Sequence, residues 1–151
     1  MTAWLSEILA SSSDRPIVPL LTLSSSGWAT PLRYARDRTT TSRGLVFHGR
    51  DFDLRRPLAS MEGVQPGLLR LAADPEVSRL IESTTAHVVC LVEFVWGDDA
   101  DTVAWTSPSM RIVEPQIDPV VIEAELHVPV FASVKWRLGV FGPAQFPGVL
   151  P

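Results

Sequence analysis

The stretch His87-Val-Val-Cys-Leu-Val-Glu-Phe-Val-Trp96 is almost continuously apolar and dominated by valine and aromatic residues. So short a run enriched in β-branched side chains reads as a strand buried on both faces, the central strand of its sheet. The sequence after it supports that reading. Gly97-Asp-Asp-Ala-Asp101 carries hairpin turn chemistry, and a returning strand, Thr102 to Trp105, continues past Pro108 into Met110-Arg-Ile-Val113. Further on, Val120, Ile122, Ala124, Leu126 and Val128 alternate with Glu123, Glu125 and His127, the period of a strand with one wet face.

Working back from the central strand, Asp74-Pro75-Glu76 is a sharp helix start: an Asp N-cap, Pro at the first helical position and an acid in the first turn. Val77, Leu80 and Ile81 give this short helix its buried face, and it ends near Ser83. Leu68 to Ala72 reads as a strand, and Leu58 to Gly67, with weak periodicity, as an exposed connection. Gly44 to His48 is a short strand leading into Gly49–Pro57, and polar Arg36–Arg43 is a loop. Ala29–Ala35 and Ile17–Leu23 are strands joined at Ser24-Ser-Ser-Gly27. Pro19 assigns the first of them to a sheet edge or a bulge, because proline cannot donate to a ladder. At the N-terminus, residues 2–11 place Trp4, Leu5, Ile8 and Leu9 on one face of an amphipathic helix closed by Ser11-Ser12-Ser13-Asp14.

The expected fold is therefore mainly β: a β-sandwich or small barrel of about seven strands, with a short internal helix and an N-terminal helix. Residues 1–130 form one β-rich domain. Residues 131–151 form a C-terminal arm carrying Trp136, Phe141 and Phe146 among prolines and glycines. A segment so aromatic and so irregular cannot readily build its own core, so it packs on its own domain or docks on a neighbour.

Composition bounds the function. The 151 residues suit a single domain, and a net charge of −4 offers no basic surface for specific nucleic-acid binding. No apolar run approaches the roughly 20 residues of a membrane-spanning helix, and residues 1–7 lack the pattern of a signal peptide. The lone cysteine, Cys90, lies in the apolar run and reads as a packed thiol in a protein made in a reducing cytoplasm. Twelve of the thirteen basic residues are arginine, with Lys135 the exception; that bias fits interface pairing and equally fits a GC-rich genome.

No constellation for chemistry emerges. Gly49, Gly63 and Gly67 do not have phosphate-loop spacing. His48, His87 and His127 sit on separate elements and have no metal-ligand spacing. Asp98, Asp99 and Asp101 lack the remaining positions of a calcium loop and read as a solvated turn. His48, Arg50, Asp51 and Asp53 make the densest mixed cluster, read as a polar loop with Arg50, Arg55 and Arg56 available to an interface. The expectation is a protein without catalysis, cofactor or metal.

The order of elements carries a resemblance. Ile17–Leu23 leads to Leu32-Arg-Tyr-Ala35 and then to the polar loop Arg36–Arg43. Gly44-Leu-Val-Phe-His-Gly49 and Phe52-Asp-Leu-Arg-Arg-Pro57 follow, and then Leu69-Arg-Leu-Ala-Ala-Asp-Pro-Glu76. Val88–Trp96 with Thr102–Arg111 comes next, and Phe146-Pro147-Gly148 lies near the end. In this order the chain resembles phage minor tail proteins of the tail tip, hub or distal tail, often described only as a domain of unknown function. Where that family usually carries a tyrosine in its middle glycine element, this chain has Phe47.

The resemblance implies a structural protein of the virion tail, made in the bacterial host cytoplasm. It would form a homo-oligomeric ring that links tail tube to hub or tip proteins. The interface candidates are then Trp4, Leu5 and Leu9, the arginines Arg50, Arg55 and Arg56, and Trp136, Phe141 and Phe146. The competing reading is a free-standing β-sandwich that binds carbohydrate or protein, with Trp28, Trp96 and Trp105 as sugar platforms.

Overall fold

A computed structural model describes residues 16–60 and 63–128. In chain order they form β1 (Ile17–Ser24), β2 (Leu32–Ala35), β3 (Thr40–Ser42), β4 (Leu45–Gly49), β5 (Phe52–Arg55), β6 (Leu58–Ser60), β7 (Gly63–Gln65) and β8 (Gly67–Ala72). Helix α1 (Pro75–Ser83) follows, then β9 (Val88–Trp96), β10 (Asp99–Thr106), β11 (Met110–Ile117) and β12 (Val121–His127). The chain is mainly β, as its patterning implies. The helix expected at residues 2–11 and the arm 131–151 lie outside the described residues, and with them Trp4, Leu5, Leu9, Trp136, Phe141 and Phe146.

β9 is central. Val88, Cys90, Val92 and Val95 are buried along it, and β1 pairs with it from Ile17 opposite Trp96 to Ser24 opposite Val89. Its other edge is shared: β10 pairs with the upper half and β11 with the lower. The break between those two strands falls at Ser107-Pro108-Ser109, because Pro108 has no N–H to give a ladder. Ser107 restores the local pairing by donating its N–H to the Val92 carbonyl at 2.8 Å and accepting the Val92 N–H on its Oγ at 3.0 Å.

The ladder runs β3-β4-β2-β1-β9-β11-β12-β8-β5, with β10 beside β9, making one ten-stranded open sheet; β6 and β7 form a separate hairpin. Two core clusters divide its interior. The larger gathers Leu21, Leu23, Phe52, Leu69, Leu71, Val92, Met110 and Leu126 with Val77 and Ile81 of α1. The smaller consists of Leu20, Ala35, Phe47 and Val95. Leu20 and Leu21 enter different clusters because neighbouring strand residues point to opposite faces.

The local helix signals hold. The Asp74 side chain accepts from the Glu76 N–H at 2.9 Å, Pro75 opens the helix, Val77 and Ile81 are buried, and α1 ends at Ser83. The alternation of β12 also holds from Ile122 to Val128, all of whose apolar members are buried. Val120, read as part of that face, is 78% exposed, because the strand starts one residue later, beyond the turn in which Asp118 accepts the Val120 and Val121 N–H groups.

Other expectations need correction. The described residues hold twelve strands rather than about seven. Leu58–Gly67, read as an exposed connection, contains the β6–β7 hairpin. Arg36–Arg43, read as a loop, contains β3. The turn after β9 is Gly97–Asp98 alone, since β10 already begins at Asp99. Pro19 lies in a strand paired on both sides, with β2 and β9, rather than at an edge or a bulge. The position is tolerated because a strand residue turns its N–H and C=O to the same side. The Pro19 carbonyl accepts from Arg36 N–H at 3.2 Å, so the missing donor faces the end of β2, where the Arg36 carbonyl takes the Arg38 N–H instead.

Candidate assembly surface

The densest polar cluster of the sequence is split by the fold into internal braces. Arg50, just beyond β4, donates through Nη1 to the Ala72 carbonyl at 3.2 Å and through Nη2 to Asp74 Oδ2 at 2.9 Å. Its guanidinium lies 5.0 Å from the Tyr34 ring centroid, at cation–π distance. Asp53 stands 3.7 Å from Arg36. Arg50, an interface candidate by sequence, thus clamps the start of α1 against β2. Arg56 is exposed, and Arg55 is half-buried on β5.

Asp74 therefore has two tasks, N-cap and anion for Arg50. The Arg50 hydrogen bond, aided by the Glu76 N–H, holds its carboxyl below the usual aspartate value. A depressed folded-state value contributes stability that is present above the unfolded pKa and is lost as pH falls through the folded one. Acid titration followed by circular dichroism is expected to show the wild type losing stability below about pH 4. Asp74→Asn, which keeps a capping oxygen, is expected to show a flatter acid limb.

Cys90 is fully buried on β9, and burial pushes its thiol up to about 12. A thiol needs an open, electropositive setting to act as a nucleophile. Iodoacetamide at about pH 8 is expected to leave Cys90 unmodified in the folded protein and to alkylate it after denaturation. Rapid labelling of the native protein would contradict this burial.

The histidines do not converge: all three are exposed, His48 on β4, His87 in the connection from α1 to β9 and His127 on β12, and His127 pairs with Glu125 at 2.9 Å. Among the described residues no group of three His, Cys, Asp or Glu side chains is placed to hold a metal ion. The aspartates after β9 are engaged: Asp99 accepts from Thr102 Oγ1, and Asp101 accepts the Arg43 N–H. An open depression of about 270 Å³ lies at the base of β11 and β12, lined by Gln116, Ile117, Asp118, Val121 and Glu123.

The β3–β4 hairpin and β10 hold the remaining features. Arg43 and Gly44 both have positive φ, 51° and 77°, the two-residue turn that matches strand twist and ordinarily favours Asn-Gly. Arginine in this conformation costs about 1–2 kcal/mol, and contacts to the far side of the sheet offset it. Its Nη2 meets Glu93 Oε1 at 2.9 Å, and the buried Ser42 hydroxyl donates to the Ala100 carbonyl at 2.6 Å. The sequence offered no signal for these contacts, since they join residues 50 or more positions apart.

The tip of this hairpin leaves Leu45 and Val46 exposed, and β10 leaves Trp105 40% exposed. The Trp105 ring sits 5.1 Å from Phe94. Of the other tryptophans read as sugar platforms, Trp28 packs against the larger core with its Nε1 on Thr84 at 2.7 Å, and Trp96 is half-buried.

The chain matches no family model and no curated protein.

Among the described residues the exposed large apolar side chains are Leu45, Val46, Trp105 and Val120. β10 pairs irregularly, its register against β9 shifting twice between Asp99 and Trp105. Such bulges bend and twist an edge strand away from flat pairing. Among the described residues no helix is long and apolar enough to cross a membrane.

Proposed function

We propose that this chain is a structural subunit of a larger assembly, and specifically a minor tail protein at the distal tip of a phage or phage-like particle. It would form a ring that links the tail tube to hub or tip proteins, and no catalytic step is part of this reading. The observation that carries the assembly half is the exposure of large apolar side chains on the open sheet, Leu45 and Val46 on β4 and Trp105 on β10. Exposed apolar side chains of this size invite contact with another chain. The tail half rests on the order of elements in the sequence. We also read the two core clusters as the interiors of a rolled, sandwich-like sheet. In that arrangement the Ser42 and Arg43 contacts to β10 would hold one flank shut.

Light scattering with size-exclusion chromatography tests the reading, followed by electron microscopy of the associated species. The expected result is concentration-dependent association into a closed ring. A monomer at all concentrations with a glycan-dependent rise in melting temperature would replace it with the binding-module reading. Among the described residues that alternative has one exposed tryptophan, Trp105, to build on.

A further inference from the structure

We propose that the β3–β4 hairpin is a latched lid over the smaller core cluster, able to swing open while the larger cluster stays folded. Among the described residues β3 pairs with β4 alone. β4 is tied to the rest of the sheet by two register pairs, Tyr34 with His48 and Ala35 with Gly49. Both lie at the base of the hairpin. There the Gly49 N–H donates to Thr39 Oγ1 at 3.0 Å, so the two arms are fastened to each other and move as one body. Of the hairpin's apolar side chains Phe47 is buried, against Leu20, Ala35 and Val95, while Leu45 and Val46 are exposed. A segment that buries one large side chain has few apolar contacts to hold it, the condition for opening locally below the free energy of global unfolding.

The opposite end of the hairpin carries the latch. The Ser42 hydroxyl donates to the Ala100 carbonyl at 2.6 Å, the Arg43 N–H donates to Asp101, and Arg43 Nη2 donates to Glu93 Oε1 at 2.9 Å. Ala100 and Asp101 belong to β10 and Glu93 to β9, so these bonds join the tip to the strands that the hairpin covers. They also hold Arg43 at a φ of 51°, a conformation that persists in a residue other than glycine where its surroundings enforce it. Release of the tip relaxes that strain. Opening bares Leu20, Phe47 and Val95 and leaves the larger cluster intact. The device depends on neither the tail reading nor the assembly reading.

β9 supplies its own pair of reporters. Cys90 lies in the larger cluster and Val95 in the smaller, and both are 0% exposed. Val95→Cys therefore places a thiol beneath the lid, while Cys90 reports global unfolding of the same molecules. Methyl methanethiosulfonate at about pH 8, with modification read by peptide mass spectrometry, is expected to reach the introduced thiol about tenfold or more faster than Cys90. Ala35→Cys, beneath the same lid on β2, is an independent second reporter with the same expectation. Ser42→Ala removes a latch bond and is expected to speed the introduced thiol by about threefold or more. Ile122→Val, in the larger cluster, is expected to speed Cys90 by about threefold without changing the introduced thiol, because that cluster is intact when the lid is open. Rates equal to that of Cys90 at both positions, in variants with the circular dichroism of the wild type, would overturn the lid. So would an introduced thiol that ignores Ser42→Ala, or one that follows Cys90 in Ile122→Val.

Discussion

Phe47→Ala is expected to be among the most damaging single substitutions, lowering stability by about 3–5 kcal/mol. A domain of this size has about 5–15 kcal/mol in total, so the variant approaches the unfolding threshold. Phe47 is 1% exposed, and among the described residues it is the largest member of a cluster whose other buried residues are Leu20, Ala35 and Val95, flanked by half-buried Val18, Ala100 and Val103. Its neighbours are small or β-branched apart from Leu20, so they fill the vacancy poorly and the cavity term adds to the lost transfer energy. The larger cluster has many more apolar members to close in. Phe52→Ala, at 2% exposure, is therefore expected to cost the same or less. Urea denaturation checks this: the midpoint falls further for Phe47→Ala with an unchanged slope. A loss under 1 kcal/mol would mean that the smaller cluster is not a closed core.

How far these features could be read in the sequence depends on the range over which each is determined. β9, α1 and β12 were legible because their signals are local: a dense apolar run, an Asp-Pro-Glu start, and a period-two alternation from Ile122 to Val128. Pro19 misled because its tolerance depends on where β2 ends, sixteen positions away at Ala35. β3 was invisible for a similar reason. Thr40-Thr-Ser42 is polar, but Ser42 is fully buried because its hydroxyl reaches the Ala100 carbonyl across the sheet. Arg50 looked like a surface cation, and its partners come from two other stretches of the chain, Tyr34 from one and Ala72 with Asp74 from the other. Exposed candidates were partly legible: Trp105 was singled out, whereas Leu45 and Val46 were absorbed into a strand that sequence alone gave no reason to leave uncovered.

Gly49→Ala is expected to produce the second large loss, through backbone crowding rather than a cavity. β4 runs parallel to β2, with Gly49 opposite Ala35, and antiparallel to β3 on its other side. The link from β2 to β3 must therefore pass close over the end of β4. A Cβ on Gly49 would stand 2.8 Å from the Arg38 carbonyl carbon and from the Thr39 nitrogen. These are main-chain atoms, and a flexible side chain cannot swing aside to make room. They are also tied: Thr39 Oγ1 accepts the Gly49 N–H at 3.0 Å, and Arg38 N–H donates to the Arg36 carbonyl at 2.8 Å. Relief requires moving the crossover, which loosens both bonds and the β2–β4 pairing. Overpacking of this kind typically costs about 1–3 kcal/mol, occasionally more. Gly27→Ala is the matched control, since its added Cβ meets nothing within 4 Å, and it is expected to stay within about 0.5 kcal/mol of wild type. Thermal melts of the two variants side by side separate steric crowding from any general penalty of replacing glycine. Equal melting temperatures would show that the crossover over β4 yields freely.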